Sequence, residues 1–265
     1  MKLPIYTAIS FNRIIEKGGH SKPWIVSVNA DGTLKPYVIK LYRTLDIEAR
    51  NKMTAEIFGN LMASEFDLNS PSPAIIDFTE DFRMSLNTDC EEILSLLDER
   101  AKFGTEYIEG AFLFAPQIPK EEADKIIPMD SLYAFDYFIC NRDRTLQKPN
   151  LLVKNGYGIL IDHEMALEID ENTLAYFNKG KWNEKYQYHL FYDKLKASTY
   201  EEKQCYFEEF ETYLQMLRLN KFDEVFIQLK DLGFNNLNED LLKSYFLAIL
   251  HAPRQFINIL KQSIE

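Results

Sequence analysis

The spacing of apolar residues changes along the chain, and the first regular pattern is that of strands. Between residues 23 and 42, two runs rich in Val, Ile and Tyr flank Asp31 and Gly32, a pair that suits a tight reversal because both positions favour positive φ. This pattern predicts a β-hairpin. In its second strand, alternation places Lys40 on the opposite face from Ile39.

Helical spacing follows over residues 47–66, where large apolar residues form one stripe. A second face of this predicted helix carries Glu56 together with the small residues Gly59 and Ala63, so another element would be able to approach it closely. Short strands are expected at residues 74–78 and 105–114. The first half of the chain is therefore α+β.

The second half is predicted to be mainly helical. An apolar helix is expected over residues 129–140, followed by a polar loop at 141–149. Two short strands flank Asn155 and Gly156, which again indicates a tight hairpin. Amphipathic helices are then predicted at residues 184–196, 200–219, 222–232 and 239–261.

Composition narrows the class of protein. With 265 residues and 46% apolar side chains, the chain can bury a sizeable core as one two-lobed domain or two small domains. The formal net charge of −11, with no basic cluster, argues against binding to nucleic acid or to an anionic membrane. The three widely spaced cysteines predict neither a disulfide framework nor a metal site. The sequence shows no signal peptide and no long apolar span, so we expect a cytoplasmic protein.

Residues suited to phosphoryl transfer occur along the chain in the order in which kinases use them. That reaction needs backbone amides and a cation for the phosphates, a carboxylate to hold the cation, oxygen ligands for Mg²⁺, and an Asp beside the attacking hydroxyl. The chain offers such groups in this order: Gly18, Gly19, Lys40, Glu56, Asp143, Asn150 and Asp162.

These residues lie within a resemblance to a known family. The segments FDYFICNRDRTLQKPNLLV and GILIDHEMAL resemble the catalytic region of the HipA-like kinases, and the resemblance covers about residues 10–165. It implies a two-lobed, protein-kinase-like fold, with an N-lobe at residues 1–110 and a mainly helical C-lobe at 111–265. It also implies transfer of the γ-phosphoryl group of ATP with Mg²⁺.

The resemblance assigns a role to each matching residue. Asp143 would orient or deprotonate the acceptor hydroxyl, whereas Asn150 and Asp162 would hold Mg²⁺. The remaining residues implied to bind ATP are the phosphate loop (Gly18, Gly19, His20, Ser21), the Lys40–Glu56 clamp, and Glu106 and Tyr107 at the strand leading to the adenine hinge. Each also has a purely structural interpretation as a loop, strand or turn residue, and His163 is expected to be structural.

The chain departs from the protein-kinase pattern in two places. The metal-binding Asn of that pattern follows the catalytic Asp by five residues, but Lys148 stands there and Asn150 follows at seven. We expect Asn150 to be the ligand because it directly precedes an apolar strand, and Lys148 to reach a phosphate. Asn141 replaces the usual histidine of the motif.

Three functions remain open at this point. The first is a kinase that acts on Ser or Thr of a protein; the second is a phosphotransferase for a small molecule or lipid; the third is a non-catalytic module with a kinase fold. Members of the family can pair with an antitoxin, so a regulatory partner is possible, but these motifs do not encode the acceptor. The four histidines lack zinc-site spacing.

Overall fold

The computed structural model describes residues 1–16, 22–182, 186–235 and 238–265. Its strands are β1 (Ile5–Ile14), β2 (Trp24–Ala30), β3 (Thr33–Lys40), β4 (Pro73–Asp77), β5 (Lys102–Glu106), β6 (Phe112–Leu113), β7 (Leu151–Lys154) and β8 (Tyr157–Leu160). Its helices are α1 (Thr44–Glu48), α2 (Lys52–Glu65), α3 (Glu80–Met84), α4 (Thr88–Ser95), α5 (Lys120–Ile126), α6 (Met129–Phe138), α7 (Glu171–Asn178), α8 (Tyr192–Lys196), α9 (Tyr200–Cys205), α10 (Glu208–Met216), α11 (Asp223–Asp231), α12 (Glu239–His251) and α13 (Pro253–Ser263).

The chain forms two compact units. Unit 1 comprises Met1–Phe58, Pro71–Glu109 and Lys221–Leu237, and unit 2 comprises Gly59–Ser70, Gly110–Asn220 and Asn238–Glu265. The prediction of an α+β chain, β-rich at its start and mainly helical afterwards, is confirmed. None of the described helices is long and apolar enough to cross a bilayer.

Unit 1 is built on a five-stranded sheet in the order β1-β2-β3-β5-β4, which closes on itself because β1 also pairs with β4. The predicted hairpin is confirmed: β2 pairs with β3, and Asp31 and Gly32 at the turn have φ of 51° and 86°. The apolar face of this sheet is buried around Trp24, whose ring stacks on that of Phe78. Ile39 joins this core, so Lys40 points away from it, as alternation predicts.

The segment just before β1 and the helix α11, far apart in sequence, are joined by one side chain of unit 1. The amide of Gln228 accepts a hydrogen bond from the Leu3 N–H and donates one to the Leu3 carbonyl, each at 2.9 Å. Phe226 of the same helix packs on Phe58 with ring centroids 4.5 Å apart. These contacts explain why residues 221–237 join unit 1, although the sequence placed them with the later helices.

Unit 2 holds a three-stranded sheet, β6-β7-β8, and a core of aromatic residues between helices. The second hairpin is confirmed by φ of 53° and 85° at Asn155 and Gly156. Phe66 stacks on Phe210, and Phe138 packs on Phe246, so α2, α6, α10 and α12 share one core.

Several predicted element bounds are wrong, each for a local backbone reason. The helix expected at residues 47–66 is divided into α1 and α2, since Asn51 between them adopts φ of 52°. The helix expected at 200–219 is interrupted at Phe207, with φ of 71°. Pro253, which has no N–H to donate, begins a new helix within the span expected at 239–261.

Three further differences concern element lengths. The helix expected at 184–196 is limited in the described residues to α8, with residues 183–185 outside them. The strand expected at 105–114 is two strands, β5 and β6. The strand β1 was not predicted at all, although it is the longest strand described.

A buried ion pair in unit 1 leads to a pH prediction for stability. Both carboxylate oxygens of Asp98 accept from the Arg100 guanidinium, at 2.8 and 2.6 Å, and these hydrogen bonds lower the pKa of Asp98 to about 2. A carboxyl whose pKa is lower when folded stabilises the protein above its unfolded pKa, and this contribution is lost as the pH falls through the folded value. We therefore expect the stability difference between the parent and Asp98→Asn to shrink by about 2 kcal/mol between pH 5 and pH 2. Urea unfolding across that range measures it, and a constant difference would contradict the prediction.

Candidate active site

Lys40 and Glu56 form the ion pair that the sequence suggested. The Lys40 Nζ lies 2.6 Å from the Glu56 Oε1, and the two side chains are only 14% and 4% exposed. Lys40 is the last residue of β3, and Glu56 lies in the second turn of α2. Unit 1 thus holds a buried cation whose partner is fixed by a helix, the arrangement that a phosphate clamp requires.

Within unit 2, the part of α2 that begins at Gly59 has a close neighbour. A Cβ atom added at Gly59 would lie 2.5 Å from the Cβ of His163, so no larger residue fits without movement. The His163 ring is buried and meets Phe135 edge-on. A close approach to this helix face is thus present at Gly59, whereas approach of another element to the Glu56 carboxylate stays a prediction. His163 has the packing that a structural role implies.

The two residues expected to lead into an adenine hinge lie at the end of β5. The N–H of Glu106 donates to the Ser72 carbonyl and the N–H of Tyr107 to the Pro36 carbonyl, each at 2.9 Å. The Glu106 carboxylate also lies 3.4 Å from the Lys35 ammonium. Adenine binding by these residues stays a prediction, and it depends on their carbonyls or side chains because their N–H groups are already used.

The predicted phosphate loop, Gly18, Gly19, His20 and Ser21, lies outside the described residues. Its role is therefore an expectation from sequence alone.

Unit 2 brings the remaining candidates together around one ammonium group. The Lys148 Nζ lies 2.5 Å from the Asp143 Oδ2 and 3.2 Å from the Asp162 Oδ2. The Asn150 amide nitrogen lies 3.3 Å from the same Asp143 oxygen and 3.5 Å from the Asp162 carbonyl. Residues that are up to 19 positions apart in sequence therefore converge on one point.

The backbone that holds this group is unusual at two of its members. Asn150 immediately precedes β7 and has φ of 46°, and Asp162 lies two residues beyond β8 with φ of 62°. The left-handed region is uncommon for residues other than glycine, and such positions concentrate at functional sites. The Ile161 N–H donates to the Asn150 carbonyl at 3.1 Å, which ties the two ends of the hairpin together.

The two carboxylates of this group keep the Lys148 ammonium charged. Burial alone would lower the pKa of Lys148, but the carboxylates of Asp162 and Asp143 outweigh burial and raise the pKa, so the ammonium stays charged. Two carboxylates and an amide supply the hard oxygen atoms that Mg²⁺ prefers. The residues present therefore fit a magnesium ion, although the described residues contain no cluster of three or more His, Cys, Asp or Glu with metal-site geometry.

Sequence analysis missed a buried polar network next to these residues. Asp136 on α6 and Arg144 are completely buried, with the Arg144 Nε 2.7 Å from the Asp136 Oδ2. Asn141 and His189 also contact the Asp136 carboxylate, at 2.8 and 2.9 Å. A carboxylate inside an apolar helix was the available signal, since such a group is rarely buried without partners.

Charge balance in this network follows from the same contacts. Burial would raise the pKa of Asp136, but Arg144 and His189 hold it below its ordinary value. Burial lowers the pKa of His189 in spite of its bond to Asp136, so the imidazole is neutral. The network thus contains one anion and one cation.

Comparison with known proteins identifies the family and finds similar solved structures. The family model described as HipA-like kinase matches residues 11–219, which confirms the resemblance found in the sequence. Among solved structures, the Helicobacter pylori proinflammatory kinase CtkA is similar with a TM-score of 0.47 and 10% identity, over 97% of this chain and 98% of that one. No curated protein matches the chain.

Proposed function

Because the chain belongs to the HipA-like kinase family, we propose that it is an ATP- and Mg²⁺-dependent kinase that phosphorylates a Ser or Thr hydroxyl of a protein. The observation that carries this proposal is the convergence of Asp143 and Asp162 on a single cation in unit 2. A site for phosphoryl transfer needs one carboxylate for the metal and another for the incoming hydroxyl.

The proposal divides these two roles by the surroundings of each carboxylate. Among the described residues, Lys148 and Asn150 both contact Oδ2 of Asp143, which leaves Oδ1 able to accept the hydroxyl proton. The hydroxyl oxygen would then bond to the γ-phosphorus as the bond to the leaving ADP oxygen breaks. Lys148, charged and bound to both carboxylates, would neutralise the transferred phosphoryl group.

Asn150 and Asp162 are proposed to hold the metal, since an amide and a carboxylate both supply oxygen ligands and an ammonium does not. The metal would neutralise charge on the phosphate oxygens. The remaining phosphate contacts are proposed for Lys40, held by Glu56, and for the loop of residues 18–21, with Glu106 and Tyr107 near adenine.

The proposal also covers the arrangement of the lobes, the location of the protein in the cell and its binding partners. A two-lobed kinase arrangement and an antitoxin or other regulatory partner are proposed from the family, and a cytoplasmic location is proposed from the sequence. We propose no direct binding to nucleic acid or to a membrane. The net charge of −11 supports the last point because it opposes contact with polyanions.

Addition of ATP with Mg²⁺ is expected to stabilise the folded protein. A ligand that binds only the native state adds RT ln(1 + [L]/Kd), about 2.7 kcal/mol at a hundredfold excess over Kd. Thermal unfolding with and without millimolar ATP–Mg²⁺ measures the shift. Asp162→Asn should reduce the part that depends on Mg²⁺, while Asp231→Asn, at an exposed carboxylate of α11, should retain it. Absence of any shift in the parent would contradict the proposal.

The acceptor is tested with labelled ATP in a cell lysate. Label on Ser or Thr of proteins is the expected result. Label recovered on small molecules or lipids would instead favour a phosphotransferase of that class. ATP binding without label anywhere would favour a non-catalytic module.

A further inference from the structure

Asp136 holds the chain on both sides of Asp143. The Asn141 amide donates to the Asp136 Oδ1 at 2.8 Å, and the Arg144 Nε donates to Oδ2 at 2.7 Å. Asn141 lies two residues before Asp143, and Arg144 follows it directly. One buried carboxylate therefore anchors the two backbone positions that flank the candidate catalytic residue.

The same network extends to Asn150, the candidate metal ligand. A second guanidinium nitrogen of Arg144 donates to the Asn150 carbonyl. On the other side, the Asn141 amide oxygen accepts the Asp143 N–H at 3.3 Å. Asp143 and Asn150 are thus each held by a side chain that Asp136 binds, in addition to the direct contact of the Asn150 amide with Asp143.

His189 completes the arrangement as a neutral donor. Its Nδ1 accepts the Phe191 N–H at 3.1 Å, so its Nε2 carries the proton that is donated to Asp136 at 2.9 Å. A β-bridge between Thr145 and His189 ties the same segment to this histidine through the backbone. Arg144 is therefore the cation that balances Asp136.

This is a costly way to stabilise a fold. A buried ion pair loses so much hydration that well-packed apolar residues of similar size often give equal or greater stability. What such a pair supplies, and apolar packing does not, is directed hydrogen bonds that fix a backbone segment. A displacement of about 1 Å at a reacting group is enough to cost about 10²-fold in rate.

We propose that Asp136 is a positioning residue that acts through Asn141 and Arg144 to fix the segment from Asp143 to Asn150 for phosphoryl transfer, an inference that rests on the proposed kinase function. Asp136 is completely buried, so it does not itself contact substrate.

The test compares stability with activity in two variants. Asp136→Asn leaves Arg144 buried beside an uncharged side chain, so both melting temperature and kcat should fall. The double variant Asp136→Asn/Arg144→Met removes both charges and should recover the melting temperature. Its kcat for transfer from labelled ATP should stay about 10²-fold below that of the parent, with KM for ATP changed less than about threefold. Recovery of kcat together with stability would overturn the proposal.

A matched control is available in unit 1. Asp98 is also a buried carboxylate paired with an arginine, and it contacts none of the candidate residues described. Asp98→Asn should lower the melting temperature without lowering kcat at a temperature where the variant is folded. A comparable loss of kcat would show that any weakened buried pair has this effect, and would overturn the proposal.

Amide hydrogen exchange separates this inference from the proposed function. In the double variant, peptides covering residues 141–150 should exchange faster than in the parent, while those covering α12 should not. Unchanged exchange at 141–150 would overturn the positioning role. If the parent transfers no phosphoryl group but these peptides still lose protection, the kinase function fails and the structural part of the inference stands.

Discussion

Replacement of Asp143 by Asn is expected to reduce phosphoryl transfer by roughly 10²-fold or more while ATP binding is retained, the range typical of a lost general base. The amide has nearly the size of the carboxylate but cannot take the proton of the acceptor hydroxyl. Asp143 lies in the loop before β7, and its side chain is about a quarter exposed, so the carboxylate is not sealed from solvent. Calorimetry for ATP and labelling of substrate on the same preparation separate binding from turnover.

A second variant distinguishes proton acceptance from loss of the Lys148 contact. Lys148→Met removes the ammonium that bridges Asp143 and Asp162 but leaves the general base in place. We expect it to weaken ATP–Mg²⁺ binding, whereas Asp143→Asn changes turnover alone. Asp193→Asn, at an exposed residue of α8, serves as the control with unchanged binding and turnover. If Asp143→Asn labels substrate as fast as the parent, its proposed role is wrong.

The parts of the fold that sequence predicted are those specified by a few neighbouring residues. The turns at Asp31–Gly32 and Asn155–Gly156 need positive φ at adjacent positions, and these residue types supply it. The ends of helices were harder to predict. The break between α9 and α10 lies at Phe207, which adopts φ of 71° although nothing in its side chain favours the left-handed region. The ring of Phe207 packs against Tyr133, and the Phe207 N–H donates a hydrogen bond to the Asp130 carboxylate. Both partners lie more than 70 residues away in the sequence, so the conformation of Phe207 depends on contacts that sequence spacing does not show.

The candidate site likewise contains some contacts that could be predicted before the structure and others that could not. The pairing of Lys40 with Glu56 was implied by the family resemblance, and the sequence pattern placed the lysine on a strand and the glutamate on a small-residue helix face. The bond between Asp136 and His189 was not, since 53 residues separate them and helical periodicity carries no information about which buried polar groups meet. The ammonium of Lys148 between two carboxylates likewise follows from the bent backbone at Asn150 and Asp162, which sequence spacing alone does not describe.

The Lys40–Glu56 pair is expected to give the largest effect on stability. Lys40→Met leaves the Glu56 carboxylate buried without this ammonium, and removal of one partner of a buried pair costs about 3–5 kcal/mol. Lys40→Met/Glu56→Gln removes both charges, so most of that loss should be recovered. Urea unfolding of the parent, both single variants and the double variant measures the coupling. Arg50→Met, which breaks the exposed contact with Asp46, is the matched control and should cost at most about 1 kcal/mol.

The double variant also separates stability from nucleotide binding. If Lys40 is a phosphate clamp, Lys40→Met/Glu56→Gln should fold nearly as stably as the parent and yet lose most of the stabilisation by ATP–Mg²⁺, because the phosphates no longer meet a fixed cation. If the pair serves only the fold, recovery of stability should be accompanied by a full response to ATP–Mg²⁺. The pair is buried in either case, so stability alone does not distinguish the two roles, and the ligand-dependent shift in melting temperature decides between them.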